Sequence, residues 1–261
     1  MILHILNQYE SGIKNGVYYF GLREYPEIQN WEWNSIIAFL SYEKSQGRTT
    51  EIICEDNTLL LLINLTMSKI DGTEYIPPVE ESIEKFVYHA TNATAAGQIL
   101  ACGSLLSATK VYKKTGEEIA LNRRESGWED SADFYEYIMF GWGEHLVGDY
   151  VVLCENWPNE EDLNVGNFDA GVRFYFLYEE LLRHPGHTFD GYHVIKVKEE
   201  IKLSDYLFAC IVPEQYKSQI EKSIPPELSK KVFYLSQKGM TLTNWNCKVV
   251  EFVNKLNLST S

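Results

Sequence analysis

Lys85-Phe86-Val87-Tyr88-His89-Ala90-Thr91 reads as a short apolar strand that ends in Tyr-His-Ala-Thr. A helix follows from Asn92 or Thr94, with Ala95, Ile99 and Leu100 on one face, and then comes Cys102-Gly103-Ser104-Leu105-Leu106. A histidine and a threonine at the open end of a buried strand can face a cleft. A helix that begins there sets free backbone N–H groups beside them. Its N-terminus favours negative charge, while the His and Thr supply directional hydrogen bonds. That combination suits a nucleotide. The plainer alternative is a core strand whose histidine is satisfied by a backbone carbonyl.

Outward from this stretch the chain mixes strands and helices irregularly, which predicts α+β rather than a regular βαβ series. Residues 1–75 form a small N-terminal α/β unit of unknown role. Gly16–Leu22 is strand-like, and Trp33, Ile36, Ile37 and Leu40 have helical spacing. Thr50–Cys54 and Thr58–Leu65 are β-rich runs, read as a hairpin across Glu55-Asp56-Asn57. Asp71–Pro78 carries turn chemistry and is the boundary candidate, so the second domain spans 76–261. Within it the expectations are a short helix at Val79–Glu84, a helix at Glu117–Arg124 and an aromatic helix at Ala132–Gly141. Trp128 and Trp142 flank that aromatic helix, and Asp130 and Asp133 cap it. A strand at Tyr150–Cys154 and an acidic loop at Glu155–Asp169 come next. Strands follow at Gly171–Phe176, Tyr192–Lys198, Tyr206–Val212 and Lys231–Leu235, with helices at Tyr178–Arg183, Pro213–Lys222 and Asn244–Leu256. The aromatic stretch reads as core or as a stacking surface for a base.

Three motifs in order resemble the ADP-ribosyltransferase superfamily over residues 83–220. The first is the strand–Tyr88-His89-Ala90-Thr91–helix–Gly103-Ser104-Leu105 run. The second, Gly171-Val172-Arg173-Phe174-Tyr175-Phe176, is similar to a strand of the DarT-type enzymes, which modify DNA bases; there an Arg follows Phe-Tyr-Phe closely, whereas here Leu177-Tyr178-Glu179-Glu180 intervene before Arg183. The third, Tyr206-Leu207-Phe208-Ala209-Cys210-Ile211-Val212-Pro213, resembles the strand that bears the catalytic Glu, and that position falls on Cys210. The resemblance implies a split mixed sheet and NAD as substrate. It implies NAD contacts from Tyr88, His89 and Thr91, a pyrophosphate contact from Arg173, and a nicotinamide wall from Tyr175. Glu214, just past the strand, is the expected displaced catalytic acid. The reaction would be ADP-ribose transfer to a macromolecular acceptor, protein or nucleic acid, as in bacterial toxins and phage-conflict proteins. With a cysteine at the acid position, a catalytically inactive nucleotide- or ADP-ribose-binding protein is a second expectation. An acidic protein-interaction module with a protein partner is a third.

Composition bounds these readings. The 261 residues are 45% hydrophobic, enough for a large core, and the net charge of −14 repels duplex phosphate backbones. Lys110–Lys114 and Arg123-Arg124 are local basic clusters, read as solvated loop or as a nucleotide contact. The cysteines, Cys54, Cys102, Cys154, Cys210 and Cys247, are odd in number with no CxxC spacing. The opening Met-Ile-Leu-His-Ile-Leu-Asn lacks a basic n-region, so the expectation is a reducing cytoplasm with buried free thiols. The longest apolar run, around Leu59–Ile63, falls short of a membrane span, so no membrane partner is expected. His184, His187, Asp190 and His193 step by threes, but Pro185-Gly186 and Asp190-Gly191 break any helix that would align them. No metal is expected there, and Asp190-Gly191 reads as a tight turn.

Overall fold

The computed structural model describes residues 1–8, 11–14, 16–70, 85–124, 131–154 and 158–260. The chain begins with β1 (Ile2–Leu6), β2 (Ser11–Lys14), β3 (Val17–Gly21), α1 (Asn30–Ser45), β4 (Glu51–Ile53) and α2 (Asn57–Lys69). It continues with β5 (Phe86–Thr91), α3 (Ala93–Cys102), β6 (Ser104–Leu106), α4 (Ala108–Tyr112), α5 (Gly116–Arg124), a 3-10 turn at Ala132–Glu136, β7 (Tyr137–Trp142), α6 (Val147–Leu153) and α7 (Glu160–Val165). The remainder is β8 (Val172–Leu177), α8 (Tyr178–Leu181), β9 (His187–Thr188), β10 (Ile195–Lys198), β11 (Glu200–Lys202), α9 (Leu203–Tyr206), β12 (Leu207–Pro213), α10 (Lys217–Ile220), β13 (Val232–Leu235) and α11 (Leu242–Thr260). The mixture is α+β. Two compact units form, and they are not a sequential cut at 75/76. Unit 1 takes residues 1–82, 107–138 and 186–199, and unit 2 takes 83–106, 139–185 and 200–261. The expected boundary at Asp71–Pro78, the helix at Val79–Glu84, Trp128, Asp130 and Trp157 lie outside the described residues.

Unit 1 is built on a four-stranded sheet in the order β2-β3-β1-β4, with β1 parallel to β3 and β4. Alternation along β1 turns Leu3 and Ile5 inward, where Tyr18, Phe20, Ile36, Phe39, Leu59 and Ile63 complete the core. The expected hairpin strand at Thr58–Leu65 is a correction: this run is α2. Asp56 caps it, Oδ1 accepting from Leu59 N–H at 2.7 Å. Its leucines are unbranched at Cβ and favour helix over strand. Leu59 and Ile63, one turn apart, are its buried positions.

Unit 2 carries strands in the order β13-β12-β8-β5-β7, antiparallel except for the β12–β13 pair. The β5–β8 register sets Tyr88 opposite Tyr175, His89 opposite Phe174 and Ala90 opposite Arg173. Residues directly opposite in such a pair share a face. Phe86, Tyr88, Arg173 and Tyr175 therefore stand on one face, and Val87, His89, Thr91, Phe174 and Phe176 on the other. The first face packs under α11, whose Leu242, Trp245, Val249 and Val253 recur at helical spacing.

Other expected elements differ as well. Ala132–Gly141 is not a helix: a 3-10 turn leads into β7, whose alternating aromatic and branched residues suit a strand. Tyr150–Cys154 lies in α6 and its end rather than in a strand, because one helical turn lets Asp149 and Leu153 bury together. Pro213–Lys222 breaks into short turns, with Pro213 closing β12. The predicted acidic loop contains α7, capped by Asn159, and the Tyr192 strand begins only at Ile195. Of the thiols expected to be buried, Cys210 alone is; Cys102, Cys154 and Cys247 are exposed and Cys54 is partly so.

Candidate functional site

β5 delivers His89 and Thr91 to the same face, and α3 begins two residues later. His89 Nδ1 lies 3.1 Å from the Met139 carbonyl oxygen, and its ring meets Phe140 edge-on at 6.2 Å. Desolvation lowers the imidazole pKa from its ordinary value, against the opposing pull of that carbonyl. The ring is therefore neutral at pH 7. A carbonyl only accepts, so Nδ1 carries the proton and Nε2 is left as an acceptor. The Asn92 side chain caps α3 by accepting from Ala95 N–H at 2.9 Å, which leaves the N–H groups of Ala93 and Thr94 as the helix's first donors. Gly103, at φ 73°, ends the helix in the left-handed conformation. The Thr94 hydroxyl accepts from Gln219 at 3.3 Å, which ties α3 to α10.

Glu214 is exposed and directly follows β12. Since β12 and β5 both run antiparallel to β8, their C-terminal ends lie at one edge of the sheet. Two strand spacings, about 10 Å, separate them. Glu214 therefore shares an edge with Thr91. Cys210, the position matched to a catalytic Glu, pairs with Phe174 and so shares the His89 face, but it is fully buried. Burial pushes its thiol pKa up, which leaves it uncharged.

The other expected site residues do not join this group. Arg173 has zero exposure. It donates to Asp149 through Nε at 3.1 Å and Nη2 at 2.8 Å, and to Tyr175 Oη at 3.0 Å and Asn246 Oδ1 at 2.7 Å through Nη1. Its guanidinium sits 5.1 Å from the Tyr88 ring centroid, and Tyr88 stacks on Tyr175 at 5.6 Å. The Tyr88 hydroxyl accepts from Gly148 N–H at 2.9 Å and lies 2.8 Å from the His145 carbonyl. Arg173 is thus committed to an internal carboxylate and cannot meet a pyrophosphate. Tyr175 stands on the face opposite His89, so the two do not wall one hollow. Alternation alone could not reveal this, because the face depends on the β5–β8 register. Asp149 and Asn246, which complete the network, carry no local signal: Asp149 directly precedes the expected strand at Tyr150–Cys154, and Asn246 is one polar residue in an amphipathic helix.

In unit 1, Asp190 accepts from the N–H groups of Tyr192 and His193 at 3.0 and 2.7 Å, which is the turn chemistry expected of Asp190-Gly191. Its carboxylate also meets His193 Nδ1 at 2.8 Å and the fully buried Lys196 ammonium at 2.9 Å. Among the described residues, no cluster of three His, Cys, Asp or Glu side chains could hold a metal, and no helix is long and apolar enough to cross a membrane.

The fold thus defines a mixed α/β protein of two units with a histidine-bearing sheet edge. No protein-family model matches the chain, and neither does any curated protein or solved structure.

Proposed function

We propose that this protein binds NAD at the sheet edge formed by the C-terminal ends of β5 and β12, and transfers ADP-ribose from it to a macromolecular acceptor, protein or nucleic acid. The observation that carries the reading is His89, neutral and pinned through Nδ1 to Met139, with an Nε2 acceptor four residues before the first residue of α3. Nε2 would accept from a ribose hydroxyl, Thr91 would add a second directional bond, and the first N–H groups of α3 would meet the pyrophosphate. Transfer requires the bond between ribose C1′ and nicotinamide to break through an oxocarbenium-like transition state, which a nearby carboxylate stabilises. Glu214 is the carboxylate on this edge. Tyr88, Arg173 and Tyr175 hold the sheet behind it and make no contact with NAD. The motif order along the chain supports the ADP-ribosyltransferase-like assignment, and the cytoplasm is the compartment that holds NAD alongside such acceptors.

The second reading is NAD or ADP-ribose binding without turnover, and buried, uncharged Cys210 at the acid position favours it. Calorimetric titration with NAD, nicotinamide release and transfer of label from NAD to a cell lysate separate the outcomes. His89→Ala is expected to weaken NAD about tenfold, the worth of one hydrogen bond of the stronger kind. Glu214→Gln is expected to leave binding unchanged and abolish nicotinamide release. Binding without release selects the second reading. No binding, or wild-type affinity in His89→Ala, overturns the site and leaves a protein-interaction role.

A further inference from the structure

Unit 2 holds a cleft of about 250 Å³ at the opposite end of β5 from His89 and against the opposite face of the sheet. Its floor is Phe86, Tyr175 and Val253, all buried. Lys85 and Glu144 stand at the rim where β5 and the segment after β7 lie side by side. α11 contributes Val250, Val253, Asn254, Asn257 and Leu258, the i, i+3, i+4, i+7, i+8 stripe of one helix face.

The buried Arg173 network ends on this wall. Tyr175 Oη donates to the Gly143 carbonyl at 3.3 Å, Asn246 Nδ2 donates to the Glu144 carbonyl at 2.8 Å, and Gly143 N–H donates to the Phe86 carbonyl at 2.8 Å. Three bonds therefore fix the backbone at the cleft, and the ion pair behind them is wholly desolvated. Gly143 also lets this segment lie close against β5. A Cβ there would lie 3.0 Å from the Phe86 carbonyl oxygen and 3.3 Å from the Tyr175 ring. A pre-formed hollow with an aromatic floor and a few polar groups on its rim has the makings of a small-molecule site.

Size and charge narrow the occupant. A cavity of about 150 Å³ takes a benzene ring, so this one holds a molecule of about ten non-hydrogen atoms. One lysine and one glutamate balance at the rim, which disfavours a net anion or cation. The exposed Asn254 amide offers donors and an acceptor together. We propose that this cleft binds a small, uncharged aromatic compound bearing an amide-like hydrogen-bonding group, its ring on Phe86 and Tyr175 and its polar end at Asn254. The site is separate from the proposed NAD edge, and either can fail alone.

The test is a titration of the full-length chain with benzamide, followed by amide NMR, with benzoate and benzylamine as charged counterparts. Benzamide is expected to saturate below about 10 mM. Shifts should centre on residues 86, 143 and 250–258, and each charged counterpart should bind at least threefold more weakly. Asn254 is exposed, so Asn254→Trp is expected to fold, to fill the cleft and to weaken benzamide at least tenfold. Asn254→Ala should weaken it by a smaller factor. Failure to saturate, shifts centred elsewhere, tighter binding of a charged counterpart, or unchanged affinity in Asn254→Trp would each overturn the proposal.

Discussion

Replacing Asp149 with leucine should destabilise unit 2 severely. Asp149 and Arg173 are both fully buried, and two charge-assisted bonds join them at 2.8 and 3.1 Å. Leucine keeps the volume but leaves a guanidinium with no counter-ion in a dry interior. Removing one partner of such a pair costs about 3–5 kcal/mol, a large part of the 5–15 kcal/mol that holds a typical domain together. Adding Arg173→Met removes the stranded charge. Like the single variant, the double variant lacks the Tyr88 hydroxyl's bond to Asp149; beyond that it loses the bonds to Tyr175 and Asn246, of which the buried Asn246 carbonyl costs about 1–3 kcal/mol when unpaired. The double variant should therefore be more stable than Asp149→Leu alone, by about 2 kcal/mol at the centre of those ranges. Urea unfolding gives the totals, and amide exchange in β8 reports unit 2 by itself. Additive losses in the two single variants, or a cost under about 1 kcal/mol for Asp149→Leu, would refute the account of this network as a charge held only by its partner.

Asp190 makes unit 1 acid-sensitive. Burial alone would raise its carboxyl pKa, but the charges and hydrogen bonds of His193 and Lys196 outweigh that and hold it well below the usual carboxylate range. A lowered native value gives stability that is present above the unfolded value of about 3.9 and is lost as pH falls below it. Asp190→Asn should thus be less stable than the parent at pH 7 and should lose less further stability between pH 4 and pH 2; parallel pH curves by circular dichroism would contradict this. Cys210→Glu should not restore a catalytic acid. The site has zero exposure, and a carboxylate there would cost several kcal/mol or stay protonated. A Cys210→Glu protein with unchanged melting and a newly active nicotinamide release would show that the His89 face opens at this strand.

The sequence disclosed those elements whose signal is local. β5, β8 and β12 are predominantly apolar runs, α3 has its Asn92 cap and Gly103 stop, and α11 has apolar residues at helical spacing. It misled where two local signals compete. Leu59–Leu62 is apolar enough for a strand, but Asp56 starts a helix there. Tyr137–Trp142 was joined to the turn before it, so an aromatic strand was read as the second half of a helix. In α6, Val151 and Val152 speak for a strand, while the partners of Asp149 decide for a helix from across the unit. The pairing of Tyr88 with Tyr175 joins residues far apart in sequence, and no local pattern states it.

That register decides what chemistry unit 2 can perform. Shifting β8 by one residue would turn Arg173 and Tyr175 toward His89, giving a positive, aromatic-walled hollow of the kind the motifs imply. The observed register instead locks both beneath α11, with Asp149 closing the ion pair. The functional surface is thereby split. The His89 face keeps a neutral acceptor and a helix terminus without Arg173, so a pyrophosphate bound there would meet backbone N–H groups rather than that guanidinium. Any carboxylate acting there must come from beyond the strand, because Cys210 fills the in-strand position. Glu214 is the carboxylate beyond the strand on this edge, two strands across from Thr91 and two residues past its row. The opposite face uses its cation internally, to brace the Gly143–Glu144 wall of the cleft beside α11. One sheet therefore presents a polar edge and an aromatic cleft at opposite ends of β5, and the side chains that resembled a single nucleotide pocket are shared between them.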